Sequence, residues 1–294
     1  MKELKDKVAV ITGGASGIGL AVARRFAADG ATVVLADIEA DTLAAAVDEL
    51  AAAGARATGI HTDVTDPASF EALRDETLSL HGAVHVLCNN AGVAAGGPAW
   101  EISLDVWRWV LEVNVFGVIN GIRTFVPTMI EQGEGHVVNT ASIAGLIAVP
   151  GIGPYTASKH AVVSISETLL ADLAAAGAPV GVSVLCPAFV RTRIHQADRN
   201  APEGIDRDFE QGPSAQATWG VFGALVEAGI GTEVVADAVR SAVVEERFYI
   251  LTHPETPEWV RGRFETILGG AAPSPRSSRH PDAEASRCPD AVVP

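Results

Sequence analysis

The clearest chemistry in this chain of 294 residues lies in the stretch Tyr155-Thr156-Ala157-Ser158-Lys159. On a helix, residues four apart share a face, so the Tyr155 phenol and the Lys159 ammonium would lean the same way. An ammonium near a phenol favours the phenolate and lowers the tyrosine pKa from its usual value of about 10. Such a tyrosine can exchange a proton with a substrate oxygen. The same spacing also occurs in ordinary surface pairs, so the interpretation depends on other residues.

A glycine cluster near the start of the chain has the setting of a phosphate-binding turn. The short apolar run 8–11 predicts a strand, the turn 13–19 carries Gly13, Gly14, Gly17 and Gly19, and the Ala-rich run 20–28 predicts a helix. Glycines in this setting let backbone N–H groups approach a pyrophosphate at the positive end of the helix. An ordinary strand-to-helix turn would show the same glycines.

Asp37 adds a second indication of a dinucleotide. It ends the predicted strand 32–36 and lies 18 residues after Gly19. A carboxylate at about this distance can bind the adenosine ribose hydroxyls and would repel a 2′-phosphate. No basic residue follows Asp37 directly, and Ser16 before Gly17 is not basic, so the pattern favours NAD over NADP. The alternative is that Asp37 caps a helix beginning near Asp41.

Further polar residues follow predicted strands, at the edge where open α/β sheets bind ligands. Asp63 and Asn89 come directly after the third and fourth strands, although either residue could be a turn former. Ser142 follows the fifth strand, 136–139. Asn114 lies between two valines in a predicted helix over 103–130, where its amide needs a partner.

The alternation of strands and helices over about 250 residues predicts an α/β fold: one doubly wound Rossmann-type domain, 1–270, with a parallel sheet flanked by helices. After the sixth strand, 180–185, the partly apolar segment 188–231 predicts a substrate lid. Residues 271–294 are rich in Pro, Ser, Arg and Asp, and this composition predicts a disordered tail.

Composition excludes several other functions. The net charge of −15 makes nucleic acid and anionic membrane poor partners. The three cysteines indicate no disulfide framework, and neither a signal peptide nor an apolar run of about 20 residues is visible, so we expect a soluble cytoplasmic protein. The eight histidines form no metal-ligand pattern, and no G-x-S-x-G motif makes Ser142 a hydrolase nucleophile.

Taken together, these residues resemble the short-chain dehydrogenase/reductase family over about residues 5–255. The matching motifs occur in the family's order and near its spacing: Thr12-Gly13-x-x-x-Gly17-Ile18-Gly19, Asp63-Val64, Asn89-Asn90-Ala91-Gly92, Asn114, Ser142 and Tyr155-x-x-x-Lys159. Each motif is weak alone, and jointly they are specific. The chain departs from the family at Ala188, where glycine is usual, and at His85, where aspartate is common.

The resemblance implies a seven-stranded parallel sheet and NAD(P)-dependent hydride transfer at a carbonyl or secondary alcohol. It makes Tyr155 the acid/base, Lys159 the group that lowers its pKa and binds the nicotinamide ribose, Ser142 the donor to the substrate oxygen, and Asn114 the holder of a relay water. The positions that it gives to the cofactor are Gly13, Ser16, Gly17, Ile18, Gly19, Asp37, Asp63, Val64, Asn90, Ala91, Gly92, Tyr155, Lys159, Pro187, Val190 and Thr192.

The function expected from the residues and the resemblance is therefore NAD-dependent oxidation of a bulky, hydrophobic or aromatic secondary alcohol, or reduction of the ketone. One alternative is a 3-oxoacyl thioester reductase, which favours a basic patch for an acyl carrier and usually NADPH. Another is a non-catalytic dinucleotide-binding sensor, which could dispense with Ser142, Tyr155 or Lys159. The resemblance also implies a homodimer or homotetramer built on the helices 103–131 and 155–176.

Overall fold

Seven parallel strands form one sheet in the computed structural model, which describes residues 1–207 and 212–273. Their order across the sheet is β3-β2-β1-β4-β5-β6-β7. The strands are β1 (Val8–Thr12), β2 (Thr32–Asp37), β3 (Arg56–His61), β4 (Val86–Asn89), β5 (Gly135–Thr140), β6 (Val180–Leu185) and β7 (Tyr249–Ile250). This architecture confirms the predicted fold class.

Helices cover both faces of the sheet. They are α1 (Gly17–Ala28), α2 (Ala40–Ala52), α3 (Pro67–His81), α4 (Leu104–Leu111), α5 (Gly117–Gln132), α6 (Gly153–Ala175), α7 (Pro213–Glu227), α8 (Thr232–Glu245) and α9 (Thr256–Leu268). On one face α1, α2 and α8 form a core with residues such as Ile11 and Leu35, and on the other α3, α5 and α6 pack against residues such as Val10. The central strand β1 is buried on both faces, which explains its unbroken apolar run.

Local signals account for several helix ends. The Asp66 carboxylate accepts a hydrogen bond from the Ala68 N–H at 2.9 Å, Pro67 starts α3, and Gly82 ends it with a φ of 75°. Gly231 occupies the N-cap position of α8, and α7 begins at Pro213.

The predicted single helix over 103–130 is interrupted. Between α4 and α5 lies a π-helical segment, Glu112–Phe116, with Asn114 at its centre. Within the described part of the chain, one stretch, Leu104–Gln132, is long and apolar enough to cross a membrane by length and composition alone, and half of its most apolar window is buried inside the protein. Charged residues such as Glu112 and Arg123 divide this stretch into apolar runs shorter than the ~20 residues of a membrane span.

The segment after β6 crosses back over the edge of the sheet where the strands end. It contains a short three-ten helix, Ile194–Asn200, and then α7, while residues 208–211, including Phe209 of the predicted lid, lie outside the described residues. The predicted disordered tail 271–294 also falls mostly outside them. Its first three residues are exposed and form neither helix nor strand.

The direction of winding reverses between β1 and β4, which are neighbours in the sheet. From β1 the chain proceeds to β2 and β3 on one side, and from β4 to β7 on the other. Open α/β sheets bind ligands at such a point, outside the carboxyl ends of the strands. The ends of β1, β2, β4 and β5 therefore define where the predicted site residues should meet.

Candidate active site

Tyr155 and Ser142 come from different elements but line the same cavity, and the Ser142 hydroxyl is near enough to the Tyr155 phenol to lower its pKa. Tyr155 lies in the first turn of α6, and Ser142 follows β5 at the N-cap of a short three-ten helix, where its Oγ accepts from the Ala144 N–H at 3.1 Å. The pair lies on the wall of a cleft, with a phenol and a hydroxyl presented together. This arrangement can bind one substrate oxygen from two sides.

Lys159 lies one helical turn after Tyr155 and is buried. Its Nζ donates a hydrogen bond to the Thr140 carbonyl at 2.8 Å and lies 5.5 Å from the centre of the Tyr155 ring. Burial lowers the pKa of Lys159 to about 8, because a desolvated ammonium is less stable than a solvated one. The ammonium is held at the edge of β5 rather than against the phenol oxygen.

The expected lowering of the Tyr155 pKa is not found in the chain alone. Enclosure by protein raises the pKa of Tyr155 above its ordinary value, and the nearby Ser142 hydroxyl opposes that rise. The spacing of Tyr155 and Lys159 correctly predicts a shared helix face, but it does not predict how far the phenol is desolvated. Desolvation is the larger effect here.

Asn114 is fully buried behind the cleft. Its Oδ1 accepts from the Val93 N–H at 2.8 Å, and its Nδ2 donates to the Val93 carbonyl and to Ser158 Oγ, both at 2.9 Å. A Cβ atom on Gly92 would lie 3.3 Å from Asn114 Oδ1 and 3.5 Å from Lys159 Nζ, so these two polar atoms flank the same glycine. The predicted relay role of Asn114 remains a prediction.

The glycine turn after β1 brings backbone segments so close together that there is no room for a side chain between them. A Cβ on Gly19 would lie 2.2 Å from the Gly13 carbonyl oxygen, and Gly17 has a φ of 54°. Ser16 occupies the N-cap position of α1, and its side chain makes no capping hydrogen bond to the first N–H groups of that helix. Thr192, from the segment after β6, lies beside this turn, 3.4 Å from the position of a Cβ on Gly17.

Asp37 is oriented by two backbone donors. Its Oδ2 accepts from the Ala15 N–H at 3.0 Å and its Oδ1 from the Glu39 N–H at 3.1 Å. The N-cap position of α2 belongs to Glu39, so Asp37 is not the cap residue of that helix. The Asp63 carboxylate accepts from Thr65 within its own turn.

Asn90 and the loop after β6 complete the floor of the cleft. The Asn90 side chain donates to the Thr12 carbonyl at 3.1 Å, tying the end of β4 to that of β1. The Ala188 N–H donates to His253 Nδ1 at 3.2 Å, so a histidine after β7 holds the position where the family usually has glycine. His85, the other departure, accepts from the Val8 N–H through Nδ1 at 3.0 Å.

One cavity of about 640 Å³ connects these groups, within the usual size of a ligand pocket. The predicted site residues that line it are Gly13, Ser16, Gly17, Ile18, Asp37, Asp63, Val64, Asn90, Ala91, Gly92, Ser142, Tyr155, Lys159, Pro187, Val190 and Thr192. Gly19 and Asn114 do not line it, because Gly19 packs beneath the turn and Asn114 is buried behind Gly92. The cavity's glycine cradle and its carboxylate at the end of β2 fit a dinucleotide.

The apolar wall of this cavity was predicted only in part. Val221 and Phe222 lie within the predicted lid 188–231, whereas Trp109 of α4 was not expected to line the cavity. Sequence reasoning also missed a polar cluster at the mouth, Glu39 with Arg193, Arg199 and Asn200, which no local pattern reveals. Across residues 1–207 and 212–273, no group of three or more His, Cys, Asp or Glu side chains could hold a metal ion.

Comparison with known proteins gives consistent matches over most of the chain. The family model described as short chain dehydrogenase matches residues 7–203. The chain is 36% identical to a 1-deoxy-11-beta-hydroxypentalenate dehydrogenase from Streptomyces exfoliatus over 96% of this chain and 97% of that protein. It is also 36% identical to a C alpha-dehydrogenase from a Sphingobium species, over 93% and 89% of the two chains.

A solved structure agrees with these sequence matches. A short chain dehydrogenase/reductase from Burkholderia phymatum, in complex with NAD, superposes with a TM-score of 0.91 and 48% identity, covering 93% of this chain and 98% of that one.

Proposed function

Because this chain belongs to the short-chain dehydrogenase family and is therefore an oxidoreductase, we propose that it transfers a hydride between NAD(H) and a bulky, apolar secondary alcohol or ketone. The observation that carries this proposal is that Tyr155, Ser142 and Lys159 line the same cavity as the glycine turn and Asp37.

NAD is the cofactor that the residues and the relatives favour. Asp37 presents a carboxylate at the end of β2, where it would bind ribose hydroxyls and repel a 2′-phosphate. The Burkholderia phymatum protein, 48% identical, was solved with NAD. The residues that would hold the cofactor are the cavity-lining positions named above, with Gly19 supporting the turn from below.

In the proposed reaction Tyr155 exchanges the proton and Ser142 fixes the oxygen. During oxidation the bond between the carbinol carbon and its hydrogen breaks and that hydride leaves, while the hydroxyl proton passes to the Tyr155 phenolate and a C=O double bond forms. When NAD⁺ is bound, its nicotinamide would accept this hydride. Lys159 places a positive charge near the phenolate, and Ser142 donates a hydrogen bond to the reacting oxygen. Asn114 would support this site from behind.

An apolar substrate is favoured by the composition of the cavity. Within the described residues, the cations that line it are Lys159, Arg193 and Arg199, and the last two lie at the Glu39 mouth rather than at Tyr155. Trp109, Ile152, Val221 and Phe222 are apolar side chains that line the same cavity as Tyr155. We propose that 188–231 is the substrate lid of a domain spanning 1–270. An acyl-carrier thioester is less favoured, because no basic patch lines the described Tyr155 end.

Self-association is a further part of the proposal. The stretch α4–α5 exposes Leu104 and Phe116, which are 70% and 48% exposed, so this helical face has apolar area for a second copy. We propose a homodimer or homotetramer that uses this stretch and α6. A scattering mass equal to one chain would contradict it. Cytoplasmic location and the disordered tail 271–294 remain predictions from composition.

A scan of secondary alcohols tests the function. Purified protein is assayed with NAD⁺ and NADP⁺ on alcohols of increasing apolar bulk, following the absorbance of the reduced cofactor. We expect turnover with NAD⁺ and loss of about 10²–10⁴-fold in Tyr155→Phe, with NADH binding retained. Full activity of Tyr155→Phe would refute the catalytic assignment. Binding of NADH without turnover of any alcohol would favour the non-catalytic sensor.

A further inference from the structure

A single carboxylate, Glu39, joins the two sides of the cavity mouth. Its Oε1 accepts from Arg199 Nε at 2.8 Å and from Asn200 Nδ2 at 2.9 Å, and its Oε2 accepts from Arg193 at 3.2 Å. Glu39 belongs to the loop between β2 and α2, whereas its partners belong to the segment after β6, more than 150 residues later in the chain. The two segments are thus linked across the mouth.

The cluster lies beside the group that recognises the ribose. Glu39 follows Asp37 by two residues, and its own N–H donates to the Asp37 carboxylate. Glu39, Arg193, Arg199 and Asp37 all line the same cavity. In this family of folds the residues at the end of β2 face the adenosine 2′-position, so the two guanidinium groups are close to where a 2′-phosphate would sit.

The charges at the mouth are paired within the protein. Burial alone would raise the pKa of Glu39, but hydrogen bonds from Asn200 and Arg199 outweigh it, and the pKa lies below its usual value. Glu39 is therefore ionised at neutral pH and neutralises guanidinium charge that could otherwise bind a phosphate. The side chain of Glu39 is 21% exposed and that of Arg199 is 31% exposed, so water screens this pairing only in part.

We infer that Glu39 is a second determinant of the preference for NAD, because it occupies Arg193 and Arg199 and so denies them to the 2′-phosphate of NADP. This inference rests on the proposed NAD-dependent function and concerns selectivity rather than the chemical step. Asp37 repels the 2′-phosphate directly, whereas Glu39 acts by holding the cations that would attract it. The chain thus has two arginines suited to bind a phosphorylated ribose, and the Glu39 carboxylate prevents this by pairing with both.

Binding of two small probes tests this inference without turnover. Calorimetry gives the affinities of the wild type and of Glu39→Gln for adenosine 5′-monophosphate and for adenosine 2′,5′-bisphosphate. Gln keeps the size of the side chain and removes its charge. We expect the affinity for the bisphosphate, relative to the monophosphate, to rise about tenfold or more in Glu39→Gln, because charge-assisted bonds from two arginines become available. No relative gain overturns the inference.

Two further variants show whether the arginines cause the gain. Adding Arg193→Ala and Arg199→Ala to Glu39→Gln should abolish it, and persistence of the gain would overturn the inference. Glu49→Gln is the matched control, because it removes the same charge from an exposed pair with Arg24 on the side of α2. An equal gain in that control would mean that net charge alone is responsible and would also overturn the inference.

A variant with Glu39 intact covers the case in which Glu39→Gln does not fold. In Arg193→Ala with Arg199→Ala, the Glu39 charge is no longer neutralised, so the relative affinity for the bisphosphate should fall below that of the wild type. An unchanged ratio contradicts the inference. Failure of the wild type to bind either the monophosphate or NADH would instead remove the proposed function, and with it the premise of this inference.

Discussion

The Lys159 ammonium donates to the Thr140 backbone carbonyl, while its distance to the centre of the Tyr155 ring is 5.5 Å. The lysine is therefore anchored to the edge of β5 and acts on the tyrosine through its charge. The Ser142 hydroxyl, on the same cavity wall, also lowers the pKa of the phenol. The acid/base properties of Tyr155 should accordingly respond to Ser142 as well as to Lys159.

The first prediction concerns the pH dependence of oxidation. Burial raises the pKa of Tyr155, and the nearby Ser142 hydroxyl opposes that rise. The rate of alcohol oxidation should increase with pH as the phenol loses its proton. Ser142→Ala should move that increase to higher pH and lower kcat/KM about 10²–10³-fold, as for loss of a donor to the reacting oxygen. Profiles of kcat/KM against pH measure both effects. Ser142→Thr keeps a hydroxyl and should restore part of the rate, and a shift to lower pH in Ser142→Ala would contradict the assignment.

The second prediction concerns stability at Lys159. Burial lowers the folded-state pKa of Lys159 to about 8 from 10.5, so between these values the unfolded chain binds more protons than the folded one. The free energy of unfolding of the wild type should rise with pH across this window relative to Lys159→Met, by about 3 kcal/mol in total. The destabilisation caused by burying the charged Lys159 ammonium is constant below pH 8 and absent above pH 10.5. Urea unfolding at several pH values measures the difference between the two proteins. A difference that does not change across this window would show that Lys159 is not desolvated.

The third prediction compares two glycines. A Cβ on Gly19 would meet the Gly13 carbonyl oxygen at 2.2 Å, whereas one on Gly262 in α9 would meet nothing within 4 Å. Gly19→Ala should destabilise the fold by about 1–3 kcal/mol and weaken NADH binding, since the turn must move. Gly262→Ala should stabilise the protein by up to about 1 kcal/mol, because alanine favours the helix. Thermal unfolding and NADH fluorescence titration measure these effects. Normal NADH affinity in Gly19→Ala would mean that the turn does not hold the cofactor.

The fourth prediction concerns the substrate wall. Phe222 of α7 lines the cavity, stacks on Trp219 with ring centres 5.1 Å apart, and contacts the edge of Phe189. Phe222→Ala should lower kcat/KM about tenfold or more for a bulky apolar alcohol and change it little for a small one. Phe264→Ala in α9 is the control, because that side chain is half exposed and does not line the cavity. Equal losses on large and small alcohols would point to a fold defect instead of a substrate contact.

Most of the fold could be predicted because its signals are local. Short β-branched runs predict strands, glycines and prolines mark their ends, and each strand end carries a polar residue. Parallel strands bring these ends to one edge of the sheet, so Asp37, Asn90 and Ser142 could be expected to meet without any knowledge of distances.

What could not be predicted depends on contacts between distant parts of the chain. Glu39 and Arg199 are 160 residues apart, and no periodicity links them. The raised pKa of Tyr155 reflects how many atoms enclose the phenol, a property of packing that residue spacing does not contain. The interruption of the long helix also escaped prediction, because a single π turn adds only one residue and leaves the apolar pattern on either side helical.

In the π-helical segment Glu112–Phe116, the exact number of residues determines how α4 and α5 are oriented. A π turn holds one residue more than an α turn needs, so deleting a residue there would restore one continuous α-helix from α4 through α5. Each residue of an α-helix turns it by about 100°, and the deletion would rotate α4 relative to α5 by that angle. The protein could then not keep both the packing of α5 on the sheet and the hydrogen bond from the Val93 N–H to Asn114. Insertion and deletion, more than substitution, are therefore the changes to which this stretch of sequence is least tolerant.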